Sequence, residues 1–335
     1  MKRTIYFGLC AIVLIAFAGS AFVGEMLGQG VLHPQVRPLD LTSIQSSRLA
    51  LQEIGAVPED FAVKAPDGVV LRGWKVSSAH ANGDWVLLYH GQSDNRTGMI
   101  GQAMLLLRHG YCVVMMDSRA HGESGGNMAT YGYLERQDTR IIIDTLDVSE
   151  NPHDIYALGS SMGAAIALQS AAVDSRIDGV IAESSFSDLR EASYDYAGLH
   201  WSSWLGKTLF RPGTWTVIST AEKEGHFSVE EVSPEKSVRV RPFAVLLICD
   251  GADTVIPCRH SRQIFRAAVG PKELWELPRA QQASAIGAEP AEYERRVIGF
   301  LYHLRQSAAY ANHEIAFLSL HPSNKIQIMM NEWLH

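Results

Sequence analysis

The sequence is poor in the features that mark several common protein classes. Four cysteines among 335 residues are too few for a disulfide framework. Charged residues make up 19%, and the net charge of −7 arises without any block of like charge. That argues against a phosphate-binding surface and against nucleic acid as a partner. The histidines are scattered without ligand spacing, so no metal is implied. No Gly-x-Gly-x-x-Gly follows the first crossover strand, which removes the dinucleotide loop, and no cofactor is called for. Repeats and low-complexity segments are lacking as well.

Apolar sequence is plentiful. At 47% of the chain it supplies a sizeable core, for one large domain or two small ones. Residues 4–24, TIYFGLCAIVLIAFAGSAFVG, carry no charge and follow Lys2 and Arg3. Such a run is long enough to span a bilayer as a helix. The basic end stays in the cytoplasm and sends the remainder out. An uncleaved anchor and a signal peptide cut near Ala16 to Ala21 both fit, and the length of the run favours the anchor. Either places the folded part outside the cytoplasm, membrane-bound or exported. Cys10 lies in this run, and Cys112 and Cys249 lie in strand-like runs where a thiol packs as a small hydrophobe. A Cys249–Cys258 disulfide is open in an oxidising compartment, but free buried thiols are the expectation.

The chain divides into an N-terminal segment (1–24), a connector (25–58) with a helix over 42–54, a folded domain (59–306) and a tail (307–335). FAVKA, PDG and VVLRGWKVS read as a hairpin, since Pro-Asp-Gly is turn chemistry. Apolar strands follow at 85–89, 111–116, 154–158, 179–183, 243–249 and 273–277. Helical stretches near 97–109, 130–148, 162–173, 257–269 and 290–305 alternate with them. The pattern predicts an α/β fold, with an eight-stranded, mostly parallel sheet flanked by helices. Residues 186–236 interrupt the alternation after the sixth strand. With Trp201, Trp204, Phe210 and Trp215, they form either a small cap over a cleft or an ordinary packed excursion.

Chemistry concentrates in the turns after the strands. Gly159-Ser160-Ser161-Met162-Gly163 is a Gly-x-Ser-x-Gly between a strand and AAIALQSAA. In that setting a sharp turn lifts the serine hydroxyl above the sheet at a helix N-terminus, and glycine is needed where side chains would clash. After the strand at 85–89 comes His90-Gly91-Gln92; the N–H groups of Gln92 and Met162 can form an oxyanion hole. His90 reads as a brace for this turn, with the Gln92 side chain lining the site. In Asp117-Ser118-Arg119-Ala120-His121, Asp117 and Arg119 are expected to pair and His121 to brace the loop. Asp250-Gly251-Ala252-Asp253 follows the strand at 243–249. Asp253 is the better partner for a histidine of the next turn, with Asp250 capping its own.

Between residues 61 and 305 the chain resembles the α/β-hydrolase superfamily, nearest its bacterial serine aminopeptidase-like and dienelactone-hydrolase-like members. The resemblance rests on HGQSDNRTG, DSRAHGESGG, GSSMG, ESSFSDL, CDGADTVIP and ELPRAQQ…EPAEYERRVIGFL, in that order. It implies Ser161 as nucleophile, Asp253 as triad acid, and Gln92 and Met162 as oxyanion donors. One position departs. The family places its catalytic histidine in a turn resembling Pro-Gly-Ala-Gly-His. Here Pro278-Arg279-Ala280-Gln281-Gln282 puts Gln282 there, and no histidine occurs between His260 and His303. Ala120, where the resemblance suggests glycine, is a lesser departure.

Glutamine cannot take a proton from serine at neutral pH. A general base is worth ~10²–10⁴ in rate. An oxyanion hole alone can keep ~10³–10⁴ over water. Two functions therefore stand open. One is a membrane-anchored serine esterase working through a Ser161 acyl-enzyme on a small-molecule ester or amide, slow or served by an unusual base such as His226 or His260; a peptidase is a minor variant. The other is an inactive pseudo-hydrolase that binds without turnover.

Overall fold

A computed structural model of the chain describes residues 30–198, 202–208 and 210–320, together with Ala18, Gly19, Phe22 and Gly24; side chains are described up to 307. The anchor expected over 4–24 therefore lies, those four positions apart, outside the described residues. Among the described residues no helix is long and apolar enough to cross a membrane.

The strands are β1 (Pro58–Lys64), β2 (Val70–Val76), β3 (Trp85–Tyr89), β4 (Cys112–Met116), β5 (Ile155–Ser160), β6 (Ile177–Glu183), β7 (Ala244–Asp250) and β8 (Lys272–Leu277). The main helices are α1 (Leu41–Glu53), α2 (Ile100–Arg108), α3 (Glu135–Ser149), α4 (Met162–Val173), α5 (Leu189–Ala197), α6 (Ser203–Lys207), α7 (Arg211–Gly225), α8 (Arg259–Ala267) and α9 (Pro290–Leu320). One sheet runs β1-β2-β4-β3-β5-β6-β7-β8. β1 pairs antiparallel with β2, and β2 antiparallel with β4; every later pairing is parallel. The eight strands and the hairpin are as the pattern predicts. The helix α9 differs, continuing to Leu320 and past the expected start of the tail.

The uninterrupted apolar runs have a physical cause. β3, β4, β5 and β7 are buried along their whole length, because helices cover both faces of the sheet. Leu87, Val114 and Ala157 face one core with the helix α4, while Val86, Val113 and Leu158 face the other with Tyr293 and Leu301 of α9. The helix α4 is buried from Met162 to Ala172, and its alanines let it lie close on the sheet.

Two expectations about side chains are corrected here. Asp117 and Arg119 do not pair. Asp117 accepts from the backbone and guanidinium of Arg96, at 2.8 and 2.7 Å. Arg119 bonds Asp138 and Asp67 instead. Arg119 enters the turn that follows, where Ala120 sits at φ 60° in the left-handed region that a glycine would fill without strain. Cys249 and Cys258 are joined as a disulfide rather than free, their Cα atoms 5.4 Å apart, within bridging range. The bond closes the loop that carries Asp253; Cys112 is a free, buried thiol.

Arg96 and Asp117 are both nearly inaccessible, at 3% and 1% exposure. Removing one partner strands the other charge, so Arg96→Leu should cost ~3–5 kcal/mol. Urea unfolding monitored by circular dichroism checks this; a loss below about 1 kcal/mol would put the pair in the class of exposed ones.

Candidate active site

β5 ends at Ser160 and α4 begins at Met162, so Ser161 alone makes the turn. Its backbone sits at φ 55°, ψ −116°, a costly conformation for a residue with a side chain. Sterics explain the flanking glycines. A Cβ on Gly159 would lie 2.3 Å from the Gly163 carbonyl group, and one on Gly163 would lie 2.2 Å from the Tyr89 oxygen. The Ser161 N–H donates to the Glu183 carbonyl at 2.8 Å, which ties the turn to β6.

Met162 opens α4, so its N–H is among those a helix leaves unpaired, at the positive end of the helix dipole. The turn after β3 is braced by two histidines. His90 donates from Nδ1 to the Gly91 carbonyl at 2.8 Å and accepts the Ser118 N–H on Nε2 at 3.0 Å. Burial, then the neighbouring His121, push His90 down to about 3, so it stays neutral and acts as a brace. His121 Nε2 lies 2.5 Å from the Gln92 carbonyl, which orients the next peptide group. Gln92, Ser161 and Met162 line one cavity of about 860 Å³, roofed by α5 and α7 from the 186–236 insert.

Gln282 reaches the elbow from the turn after β8, its Nε2 donating to Ser161 Oγ at 3.0 Å. Its turn is laced to the loop after β7, with Gly251 N–H on Leu277 O at 2.6 Å and Ala252 N–H on Ala280 O at 2.9 Å. Asp253 is buried in that loop, and its Oδ1 accepts the N–H groups of Val255 and Ile256 at 2.7 and 2.8 Å. Two further carboxylates bond the Gln282 turn. Asp250 Oδ2 accepts from Ala283 N–H and Ser184 Oγ, both at 2.8 Å. Glu183 Oε1 accepts from Ala285 N–H at 2.8 Å.

The sequence reading gave Asp250 only a cap and passed over Glu183. The available signal was that each closes a strand, β6 and β7 being neighbours at the site's edge. Burial, then the charge of Asp250, raise Glu183 to about 8, and burial also raises Asp250. At neutral pH this buried pair therefore retains a proton.

Neither substitute histidine serves Ser161. His226 is the exposed C-terminal cap of α7. His260 is fully buried, with Nδ1 2.8 Å from Ser187 Oγ and Nε2 2.8 Å from Asp195, both nitrogens being engaged away from the cavity. Among the described residues, no histidine lines the cavity.

Residues 81–226 match the family described as Hydrolase_4, serine aminopeptidase, S33. The chain is 25% identical over 252 residues to the uncharacterized protein YqkD of Bacillus subtilis, covering 74% of this chain and 80% of that protein. It is 26% identical over 251 residues to the uncharacterized protein YfhR of Escherichia coli K12, covering 72% and 80%. Among solved structures, the Pyrococcus furiosus esterase Pf2001 superposes with a TM-score of 0.64 at 23% identity, over 82% of this chain and 97% of that one. The acylaminoacyl peptidase of Pyrococcus horikoshii superposes with a TM-score of 0.56 at 18% identity, over 75% and 41%. These two likenesses establish a shared fold.

The carboxyl pair makes stability depend on pH. An ordinary glutamate ionises at 4.5, whereas folded Glu183 holds its proton up to about 8. Between those values the folded state binds more protons than the unfolded, so stability falls as pH rises through the window. In Glu183→Gln, which cannot ionise, Tm followed by circular dichroism should decline much less across it. An undiminished decline would assign the effect elsewhere.

Proposed function

We propose that this chain, which shares the α/β-hydrolase fold and matches the serine aminopeptidase family over residues 81–226, is a serine hydrolase of apolar esters, acting through an acyl-enzyme on Ser161. The observation that carries this reading is the strained turn of Ser161, in one cavity with Gln92 and Met162. Ser161 Oγ attacks the ester carbonyl carbon, and the carbonyl oxygen gains negative charge toward the N–H groups of Gln92 and Met162. Collapse expels the alcohol, and water then releases the acid. Amides are poorer candidates, because an amine leaving group needs a proton delivered to it.

Gln282 sets the rate. Its amide donates to Ser161 Oγ, so it steadies the hydroxyl without accepting its proton. The serine proton passes to water, and catalysis rests on the oxyanion donors. That contact is also the observation favouring the second reading, binding without turnover. The Ser161 backbone weighs against it: such strain costs about 1–3 kcal/mol and serves no purpose in a passive pocket.

On p-nitrophenyl esters the wild-type chain should turn over slowly and Ser161→Ala should lose that activity. Gln282→His should gain ~10²–10⁴ in kcat. A wild type as fast as Gln282→His would mean that another base serves Ser161; no turnover in either would favour binding alone.

We further place the hydrolase domain outside the cytoplasm, held by residues 4–24, a reading supported by their lack of charge behind Lys2 and Arg3. The full chain should then stay in the membrane fraction through a carbonate wash; release would point to a cleaved signal.

A further inference from the structure

The cavity above Ser161 has a composition that limits what it can hold. Among the described residues, no charged side chain lines it. Three of its hydroxyls are already committed to backbone carbonyls: Tyr131 to Val31 at 2.6 Å, Ser193 to Leu189 at 2.8 Å and Thr214 to Phe210 at 3.0 Å. Much of the remaining wall is apolar, including Val31, Phe186, Leu189, Val217 and Ile256. A peptide's terminal ammonium would find no counter-charge there, and burying it unpaired is prohibitive. A hydrocarbon chain meets no such penalty. Its transfer from water is favourable in proportion to the apolar area buried.

The N-terminal segment is part of the wall. Gly19, Gly24, Gly30 and Val31 all face the cavity. At Gly24 the backbone lies directly on α7, since a Cβ there would be 2.6 Å from the Gly213 oxygen and 2.8 Å from Thr216 Cβ. Glycine at both positions permits this approach, as in closely packed helices within membranes. The segment's end is fixed on both sides. The Leu32 carbonyl accepts the Ala129 N–H at 2.8 Å, Leu32 is fully buried, and His33 pairs with Glu224 of α7 at 2.7 Å. Gly19 and Gly24 of the uncharged run thus form part of the pocket wall itself.

The outer face of the insert matches. Trp204 and Trp215 are 65% and 64% exposed, and Phe210, on the cavity wall, is 37% exposed. Between Ser202 and Ala221 the charged residues are Lys207, which pairs with Glu191 at 2.8 Å, and Arg211. Exposed tryptophans beside cations suit the boundary of an anionic bilayer, where the indole sits at headgroup level and the cation meets lipid phosphate.

We propose that the cavity takes the acyl chain of an ester resident in the bilayer, drawn in along the seam between the N-terminal segment and α7, with the Trp204–Trp215 face turned to the membrane. The identity of the reacting group rests on the serine hydrolase reading above; the binding of the chain does not.

The test uses the full chain in vesicles of phosphatidylcholine and phosphatidylglycerol with brominated acyl chains, which quench nearby tryptophans. Trp74, Trp85 and Trp275 are buried in the core and out of reach. Trp204→Phe with Trp215→Phe should therefore remove a large part of the quenchable emission; an unchanged quenchable fraction would overturn the membrane-facing surface. In detergent, a fluorescent fatty acid should bind and be displaced by hexadecanoate but not by acetate. Binding should persist in Ser161→Ala, which separates it from the chemistry, and should be lost in Val217→Trp, which fills the cavity. Loss on Val217→Trp counts only with a near-UV spectrum like that of the parent. Undiminished binding in that variant would overturn the acyl site, and acyl binding without lipid quenching would overturn the bilayer as its source.

Discussion

The site depends on two contacts between backbones. Gly163 lies against the Tyr89 carbonyl, and Gly159 against Gly163, each nearer than any Cβ would permit. These contacts let α4 begin directly at the end of β5, leaving one residue to reverse direction. That residue is Ser161, forced to a positive φ with its hydroxyl raised above the sheet. The same placement aims the N-terminus of α4 at the cavity and brings Met162 alongside Gln92. A methyl group at either glycine would move the helix, and nucleophile, oxyanion donor and cavity floor would move with it.

Around this fixed point the loops are held by buried polar groups. His90 and His121 brace the turn of Gln92; Arg96 and Asp117 anchor the loop behind it. Glu183 and Asp250 reach from adjacent strands to backbone N–H groups of the Gln282 turn. Ala283, in that turn, sits at φ 53°, a strained conformation that these bonds hold in place. The result is a fixed frame that holds the Gln282 amide against Ser161. The contact of Gln282 with Ser161 is well formed, so the departure lies in the chemistry of one side chain rather than in the shape of the site.

Much of this was legible in the sequence, for identifiable reasons. The parallel sheet declared itself because strands buried on both faces must be apolar throughout. The elbow was readable because its glycines are steric requirements. Pairings between distant segments were less accessible. Asp117 finds Arg96, twenty-one positions away, rather than Arg119, two positions away, a pairing that no local spacing signals. The Glu183–Asp250 pair depends on which strands are neighbours. The disulfide depends on the path of a nine-residue separation from Cys249 to Cys258. The share of the N-terminal segment in the cavity wall carries no motif at all.

The central claim, that Ser161 is a live nucleophile in a polarising site, can be examined without a substrate. A fluorophosphonate bearing an alkyl chain phosphonylates an activated serine, and mass spectrometry of the digested full-length protein locates the adduct. The account predicts a slow, stoichiometric adduct on Ser161. No adduct after prolonged exposure, or one confined to a different serine, would contradict it.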